Sequence, residues 1–478
     1  GLGRSGITAA RALHAGGAIP ILWDDGVSGR MQAEAEGFAV EDLSRADWSQ
    51  FAALVLSPGA PLTHPKPHWT VDRAKAAGVQ IIGDIELFAR AMARTPGTLR
   101  PKVIAITGTN GKSTTTALIG WVLKQAGLKV AVGGNIGIGV LALPAPAEVG
   151  VYVIEVSSYQ LDLTTSFAPD VAILTNISPD HLDRHGGMEG YVAAKARIFQ
   201  GYGEGRFALI GTDEPAGRDL HSQLVGSPGT LTAVTTKVLS VGGGRRGGPA
   251  PEKVLERYPG QRGELFAVGR LLTLEATDGE LTGDGVAIAD LRLARSLPGR
   301  HNAQNAAFAY AAARAVGVSH DAAVQSLMTF PGLAHRMEEV GRLGKVRFIN
   351  DSKATNPDAA RQALSSYERS FWIAGGRAKQ GGIDDLEDLF PRVVEAFLIG
   401  ESAGPFAARL GDTPHRISGD MASAVQAAAE AAAASGREAV VLLSPAAASF
   451  DQYPDFEARG EAFRAAVLNL GATPSGHG

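Results

Sequence analysis

The residues best equipped for chemistry lie in the stretch IAITGTNGKSTTT over 104–116, where an apolar run stops at a glycine-bearing loop carrying Lys112 and the hydroxyls of Ser113 and Thr114. Glycines let backbone N–H groups turn towards an anion, and a helix opening near Lys112 adds its positive dipole end. Gly108, Thr109, Asn110 and Gly111 are therefore expected to wrap the phosphates of a nucleoside triphosphate. Lys112 would reach the terminal phosphates, and Ser113 or Thr114 would hold Mg²⁺. The common form of this loop has one more glycine where this chain has Ile106, so the loop is a variant. It specifies the nucleotide and leaves the reaction open.

Glu155 closes the apolar run VYVIEV, where a phosphate-loop fold places a carboxylate that helps hold Mg²⁺ through oxygen. The same position suits a cap for the Ser157-Ser158 turn. DHLDRH at 180–185 follows another apolar run, and His181 with Asp180 or Asp183 reads either as a metal site or as a structural turn. Lys195, in the helical GYVAAKARIF, is by spacing alone an ordinary solvated lysine. At 1–6, GLGRSG forms a GxGxxG, and Asp24 supplies an acid about twenty residues on, as in dinucleotide-binding folds. Ser57-Pro58-Gly59 ends a second apolar run and would face the same crevice. A nucleotide or nucleotide-sugar diphosphate fits these loops, and so do glycines that only pack a Rossmann-like domain. Later, NDSKATNP (350–357), GGRAKQGG (375–382) and SPAAASFDQY (444–453) each put polar residues after an apolar run. One such cluster is commonly a solvated loop; three on one side of one sheet suggest a site.

Loops of this kind need parallel α/β scaffolds, and the chain has the length for them. Its 478 residues, 45% hydrophobic, suffice for about three domains at roughly 150 residues each. Lys and Arg number 45 against 49 Asp and Glu, a net charge of −4, so no basic field points to nucleic acid or an anionic membrane. Cysteine is absent, which excludes disulfides and thiolate-bound zinc. No apolar run reaches the ~20 residues that span a bilayer. A cytoplasmic monomer is expected.

Apolar runs at 103–107, 130–133, 151–156 and 171–176, separated by helical stretches, read as a mostly parallel sheet. Residues 226–264, rich in glycine, proline and arginine, read as a surface insertion without chemistry, and 271–293 as a small antiparallel hairpin. A helix over 301–316 presents Asn302 and Asn305 one turn apart, and runs at 345–350, 371–374, 396–399 and 439–443 repeat the α/β rhythm. The fold class is α/β in three domains: a Rossmann-like domain at 1–97, a central phosphate-loop domain at 98–331 and a Rossmann-like C-terminal domain at 332–478. Because GLGRSG opens in mid-motif, a first strand is expected before residue 1.

Together TGTNGKST, EVSSYQLD, SPDHLDRH, the helix with KARIF, HNAQNA, FPGLAHR, NDSKATNP and SPAAASFDQY resemble the Mur ligases, in order and over nearly the whole chain. The variant loop with Ile106 belongs to that family and to its folylpolyglutamate synthase relatives. The resemblance implies ATP-dependent amide formation in peptidoglycan synthesis, with two Mg²⁺ sites. A substrate carboxylate takes the γ-phosphoryl group, and an amine then displaces phosphate through a tetrahedral intermediate. The members most similar take UDP-N-acetylmuramoyl-L-alanine as the carboxylate and D-glutamate as the amine.

By matching position, the resemblance implies a catalytic set of Lys112, His181, Lys195 and Lys353, with Ser113, Thr114 and Glu155 on the first metal. His181 and Lys195 would organise the second metal, Lys195 carbamylated into an oxygen ligand. Asn302 and Asn305 would lie near adenine, and Arg336, Asp351 and Lys353 would bring the third domain onto ATP. Thr355, Lys379, Ser449 and Phe456 would receive D-glutamate. Arg4, Ser5, Asp24 and Ser57 to Gly59 would hold the UDP part, with Asn135 and Ser157 facing that substrate. Carbamylation needs a neutral amine, and at a reference pKa of about 10.4 only about one lysine in a thousand is neutral near pH 7.4. Burial or a nearby metal must therefore depress the pKa of Lys195. His181 is a softer ligand than Mg²⁺ prefers and rests on the resemblance alone. Gly26 stands where close relatives can carry a basic residue, with Arg4 as the compensating cation. The competing readings are a sister ligase, a folylpolyglutamate synthase, a scaffold without turnover and a nicotinamide dehydrogenase. The GLGRSG and SPG loops argue against the folate enzyme, and intact Lys112, Glu155, His181, Lys195 and Lys353 against the scaffold.

Overall fold

Apolar runs dense in valine and isoleucine become the parallel strands, because strands covered on both faces have no solvent side to alternate towards. The computed structural model describes residues 1–235, 272–277, 279–284, 286–294, 296–297, 299–378 and 381–475. The chain clusters into two compact units, Gly1–Ala289 with Gln304–Leu327, and Asp290–Ala303 with Met328–Gly478. Among the described residues no helix is long and apolar enough to cross a membrane.

In the first unit, β1 (Ile21–Leu22) and β2 (Ala39–Val40) form one parallel ribbon, and β3 (Ala53–Val55) and β4 (Gln80–Ile82) form another. Next come β5 (Lys102–Thr107), β6 (Val130–Gly134), β7 (Val151–Glu155), β8 (Val171–Leu174), β9 (Phe207–Gly211), β10 (Thr230–Thr235), β11 (Leu272–Thr277), β12 (Glu280–Gly283) and β13 (Val286–Asp290). These make a nine-stranded sheet in the order β13-β12-β11-β10-β9-β8-β5-β7-β6. Every residue of β7 and β8 is buried. Since β5 to β9 run parallel, the C-terminal ends of β5, β7 and β8 open on one sheet edge, where such sheets bind ligands.

The expected insertion at 226–264 starts too early. Thr230–Thr235 is β10, paired parallel to β9 with Leu231 and Val234 buried. Its threonines alternate with apolar residues, a pattern that suits a strand and was masked by the glycines around it. Residues 236–264 lie outside the described residues. The expected hairpin at 271–293 is present as the antiparallel pair β11–β12, continued by β13.

In the second unit β14 (Glu338–Leu343), β15 (Val346–Asn350), β16 (Ser370–Gly375), β17 (Val393–Ile399), β18 (His415–Gly419), β19 (Ala439–Leu443) and β20 (Thr473–Pro474) form a sheet in the order β18-β17-β16-β19-β15-β14-β20. β15 to β19 are parallel, and β14 runs antiparallel to both of its neighbours, β15 and β20. The alanine-rich helix Met421–Ala434 buries Ala424, Val425, Ala428 and Ala432 against Phe348, Ile373 and Val441. The three polar clusters at 350, 375 and 444 follow β15, β16 and β19, on one edge of this sheet.

Candidate active site

β5 delivers the chain to Gly108, which holds φ 147°; a Cβ there would stand 1.9 Å from Thr175 Oγ1. Gly111 (φ 80°) then starts the helix Lys112–Gln125 from a left-handed conformation that a side chain would strain. The loop hangs on the end of β8: Thr109 N donates to Asn176 O and Asn110 N to Asn176 Oδ1, each at 2.9 Å, and Thr175 Oγ1 donates to Asn110 O at 2.7 Å. Lys112 folds back, Nζ donating to the carbonyls of Gly108 (3.0 Å) and Thr109 (2.8 Å). Ser113 is buried and Thr114 half-buried in the first helical turn. Thr115 Oγ1 donates to Asn305 Oδ1 at 3.0 Å, so Asn305 meets the phosphate loop; Asn302 lies one turn earlier on the same helix, Arg300–Ala315.

Glu155 ends β7. Its Oε1 accepts from Asn135 Nδ2 at 2.9 Å, while Oε2 is buried and has no hydrogen-bond partner among the described residues. Glu155 does not cap the following turn: Ser157 does, in a capping box with Gln160. An orphaned carboxylate oxygen at the end of the strand paired with β5, which leads into this loop, fits a hard, oxygen-seeking cation. His181 sits at φ 54°, its ring 44% exposed and Nε2 3.4 Å from Asp180 Oδ2. Among the described residues no three His, Asp or Glu side chains are gathered as ready-made metal ligands. That is compatible with Mg²⁺, which keeps waters and takes few protein ligands.

Lys195 is not an ordinary surface lysine. It is 2% exposed, donates from Nζ to Gly108 O at 2.6 Å and lies 4.5 Å from the centre of the Tyr191 ring. Burial holds its pKa well below the usual lysine value, helped by the charge of Lys112 and opposed by Asp180 and Glu155. Of the two causes expected from sequence, burial is the one seen acting on Lys195.

In the N-terminal segment, Leu2 N donates to Asp24 Oδ2 and Gly26 N to Asp24 Oδ1 (2.7 Å), while a Cβ on Gly1 would meet Ser57 Cβ at 2.9 Å. The GLGRSG, Asp24 and Ser57 loops therefore converge. Arg4 opens the helix Arg4–Ala15, and Ser5 hydrogen-bonds to the buried Asp84.

In the second unit, Asp351 accepts from Ser444 Oγ (2.9 Å) and Met337 N (3.2 Å); burial pushes its carboxyl up to about 7, against those bonds and the Arg336 charge. Lys353 Nζ lies 3.7 Å from the centre of the Phe456 ring, Thr355 N bonds to Lys353 O at 2.8 Å, and Ser449 is buried. Lys379 lies outside the described residues.

These two constellations match known families. Residues 106–236 match the Mur ligase middle domain, and 335–447 the Mur ligase glutamate ligase domain. The UDP-N-acetylmuramoylalanine–D-glutamate ligase of Caulobacter vibrioides is 58% identical over 474 residues, covering 99% of this chain and 95% of that protein. The chain belongs to the Mur ligase family. The ligase of the same name from Agrobacterium fabrum is 49% identical over 472 residues, 98% of this chain and 94% of that one. Among solved structures, UDP-N-acetylmuramate-alanine ligase from Thermotoga maritima superposes with a TM-score of 0.55 over 98% of each chain at 15% identity. The MurF ligase from the same organism, in complex with ADP, gives 0.53 over 89% of this chain and 100% of that one at 16% identity. At those identities the structures share the fold.

Sequence reasoning missed several residues of this Mur ligase. Arg459, 1% exposed, donates to Ser352 O (2.8 Å), Ser352 Oγ (3.0 Å) and Ala447 O (3.0 Å), tying the 350 and 444 clusters together. Burial brings its guanidinium down to about 10. His335, buried at φ 62°, passes its backbone N–H to Glu338, and Asn350 Nδ2 reaches both. A guanidinium on an otherwise packed helix face was the available signal for Arg459.

Proposed function

We propose that this Mur ligase joins D-glutamate to UDP-N-acetylmuramoyl-L-alanine through an acyl phosphate, releasing ADP and phosphate, the ligation named for its 58%-identical relative. The observation that carries the chemistry is the buried Lys195 beside Lys112 on the phosphate loop, within electrostatic range of Glu155 and Asp180.

Lys112 would exchange the carbonyls of Gly108 and Thr109 for phosphate oxygens, while Gly108 to Gly111 present backbone N–H groups to the same anion. Ser113, Thr114 and Glu155 would hold one Mg²⁺, and His181 with Lys195 a second. Bound there, Mg²⁺ supplies charge neutralisation at the phosphoryl group. Lys195, kept neutral, would add its amine to CO₂; an N–C bond forms, a proton leaves to water, and the carbamate offers a second oxygen donor beside Glu155. Arg4, Ser5, Asp24 and Ser57 to Gly59 would hold the UDP part, with Asn135 and Ser157 near the reacting end. Arg336, Asp351 and Lys353 would serve ATP, Asn302 and Asn305 adenine, and Thr355, Ser449, Phe456 and Lys379 D-glutamate. Holding each reactant in place is what such a reaction chiefly needs from a protein. We read the chain as a cytoplasmic monomer of three domains at 1–97, 98–331 and 332–478.

The test is phosphate release from ATP with UDP-N-acetylmuramoyl-L-alanine and no amino acid, D-glutamate, L-glutamate or diaminopimelate, with mass detection of product. Amide formed with D-glutamate alone is expected. Amide formed with another amino acid, or none with any, overturns the reading.

A further inference from the structure

We propose that Arg184 is a positioning residue for the UDP-linked substrate, locking the Ser57–Gly59 loop onto Tyr159 in the turn that follows Glu155. This rests on the reading above that the loop holds the UDP part. Arg184 lies in the short helix Leu182–His185. Its Nη1 donates to Gly59 O at 3.1 Å and its Nη2 to Pro58 O at 3.4 Å, while the guanidinium carbon stands 4.5 Å from the Tyr159 ring centre. Nε is buried and has no hydrogen-bond partner among the described residues, and the two carbonyls and the ring hold the head group.

The ring is itself well fixed. Tyr159 stacks on His185 at 5.4 Å and 20° and lies 5.1 Å from His181. His185 in turn meets Ser158 Oγ at 3.0 Å and Asp162 Oδ2 at 3.1 Å. Tyr159 belongs to the turn Ser158–Leu161, capped by Ser157 two residues after Glu155. One guanidinium thus joins the backbone of a substrate loop to the frame that carries Glu155 and His181. Arginine suits the task, because its planar head offers several donors along the edge and a face to an aromatic ring, whereas lysine is a point charge. The segment after the loop is packed tightly on the same element: a Cβ on Gly186 would stand 2.6 Å from His64 Nε2. A second strut runs beside the first. Gln160 Nε2 donates to Asp84 Oδ2 at 3.0 Å, and Asp84 receives the Ser5 hydroxyl of the GLGRSG loop. The turn 157–162 therefore grips both substrate loops, through Arg184 on one side and Asp84 on the other.

The experiment compares the wild-type chain with Arg184→Met and Arg184→Ala. Calorimetry with UDP is expected to show binding weakened about tenfold in both variants, with ADP affinity unchanged, since bonds to a charged donor are lost only at the substrate loop. Amide hydrogen exchange over 57–62, where Ala60 N bonds to Ser57 O, is expected to quicken while 102–107 stays protected. Methylguanidinium should recover UDP affinity in Arg184→Ala and leave the wild type untouched. Equal losses for UDP and ADP, unchanged exchange over 57–62, or no rescue would overturn the proposal. Failure of the wild-type chain to form the amide would instead overturn the reading of the reaction, while UDP binding and exchange still decide the role of Arg184.

Discussion

Lys112 and Lys195 donate to one and the same acceptor, the carbonyl oxygen of Gly108, at 3.0 and 2.6 Å. Two ammonium groups on one oxygen repel, and a buried site amplifies the repulsion because little water screens it. Lys195, far more deeply buried, yields its proton more readily. One carbonyl thus restrains Lys112 and sets its charge against Lys195, adding to the depression that burial causes.

A stability prediction follows from the sign of that shift. With its folded pKa below the unfolded value of about 10.4, Lys195 binds fewer protons in the native state, so its contribution is present above that pH and lost as pH falls through the folded pKa. Denaturation midpoints should rise as pH climbs towards the unfolded value of about 10.4, and Lys195→Met should flatten that rise. Equal slopes in urea titrations of the two proteins would refute it.

Glu86 works in the opposite direction. It is fully buried in the helix Asp84–Arg94 and accepts from Thr165 N (2.8 Å), Ser166 N (2.9 Å), both their hydroxyls, and Arg90. Burial alone would raise its carboxyl, yet these donors carry it down to about 2. Its contribution is therefore present above the unfolded value of about 4.3 and lost as pH falls towards 2. Glu86→Gln, which turns an amide N–H₂ towards those donors, should cost about 1–3 kcal/mol at neutral pH and reduce the acid sensitivity of the fold. Urea denaturation at about pH 7 and about pH 2.5 measures both.

The parallel strands were legible because a strand covered on both faces writes itself as an unbroken apolar run; β5, β7, β15 and β19 fall where those runs do. The places of the glycine-bearing loop after β5 and of the acid closing VYVIEV at the end of β7 were legible because each marks where an unbroken apolar run stops. β10 was not, since short threonine-rich strands beside glycines look like loop. Nor was the environment of Lys195, which its own helix spacing made ordinary, and which arose only when Gly108 and Lys112 arrived from a distant segment beside Tyr191, one turn back on the same helix. Arg459 and Arg184 were missed for the same reason: their partners are backbone carbonyls of remote loops, and a carbonyl leaves no mark on a sequence.

Asp351 offers a pH-dependent test in the second unit. Its carboxyl is raised to about 7 by burial, so the native state binds the extra proton. The associated stability is complete below the unfolded value of about 3.9 and disappears as pH rises through 7. Asp351→Asn should remove that decline between about pH 4 and pH 7 and raise the KM for ATP in the ligation assay. A variant whose stability still falls over this range, or whose KM for ATP is unchanged, would show that another group titrates or that Asp351 does not serve the nucleotide.

Gly108 is the position where backbone strain and chemistry coincide. It holds φ 147°, and a Cβ would stand 1.9 Å from Thr175 Oγ1 and 3.1 Å from Asn176 N, the segment on which the loop hangs. Gly108→Ala must therefore either push Thr175 aside or rotate the Gly108 carbonyl, and the second course takes the shared acceptor from both Lys112 and Lys195. The expected cost is about 1–3 kcal/mol in stability for the strained conformation. Nucleotide binding should suffer more, by a hundredfold or so, because a displaced loop misplaces every donor it carries. Thermal denaturation with and without ADP separates the two. If ADP stabilises Gly108→Ala as much as it stabilises the wild type, the loop does not depend on this carbonyl.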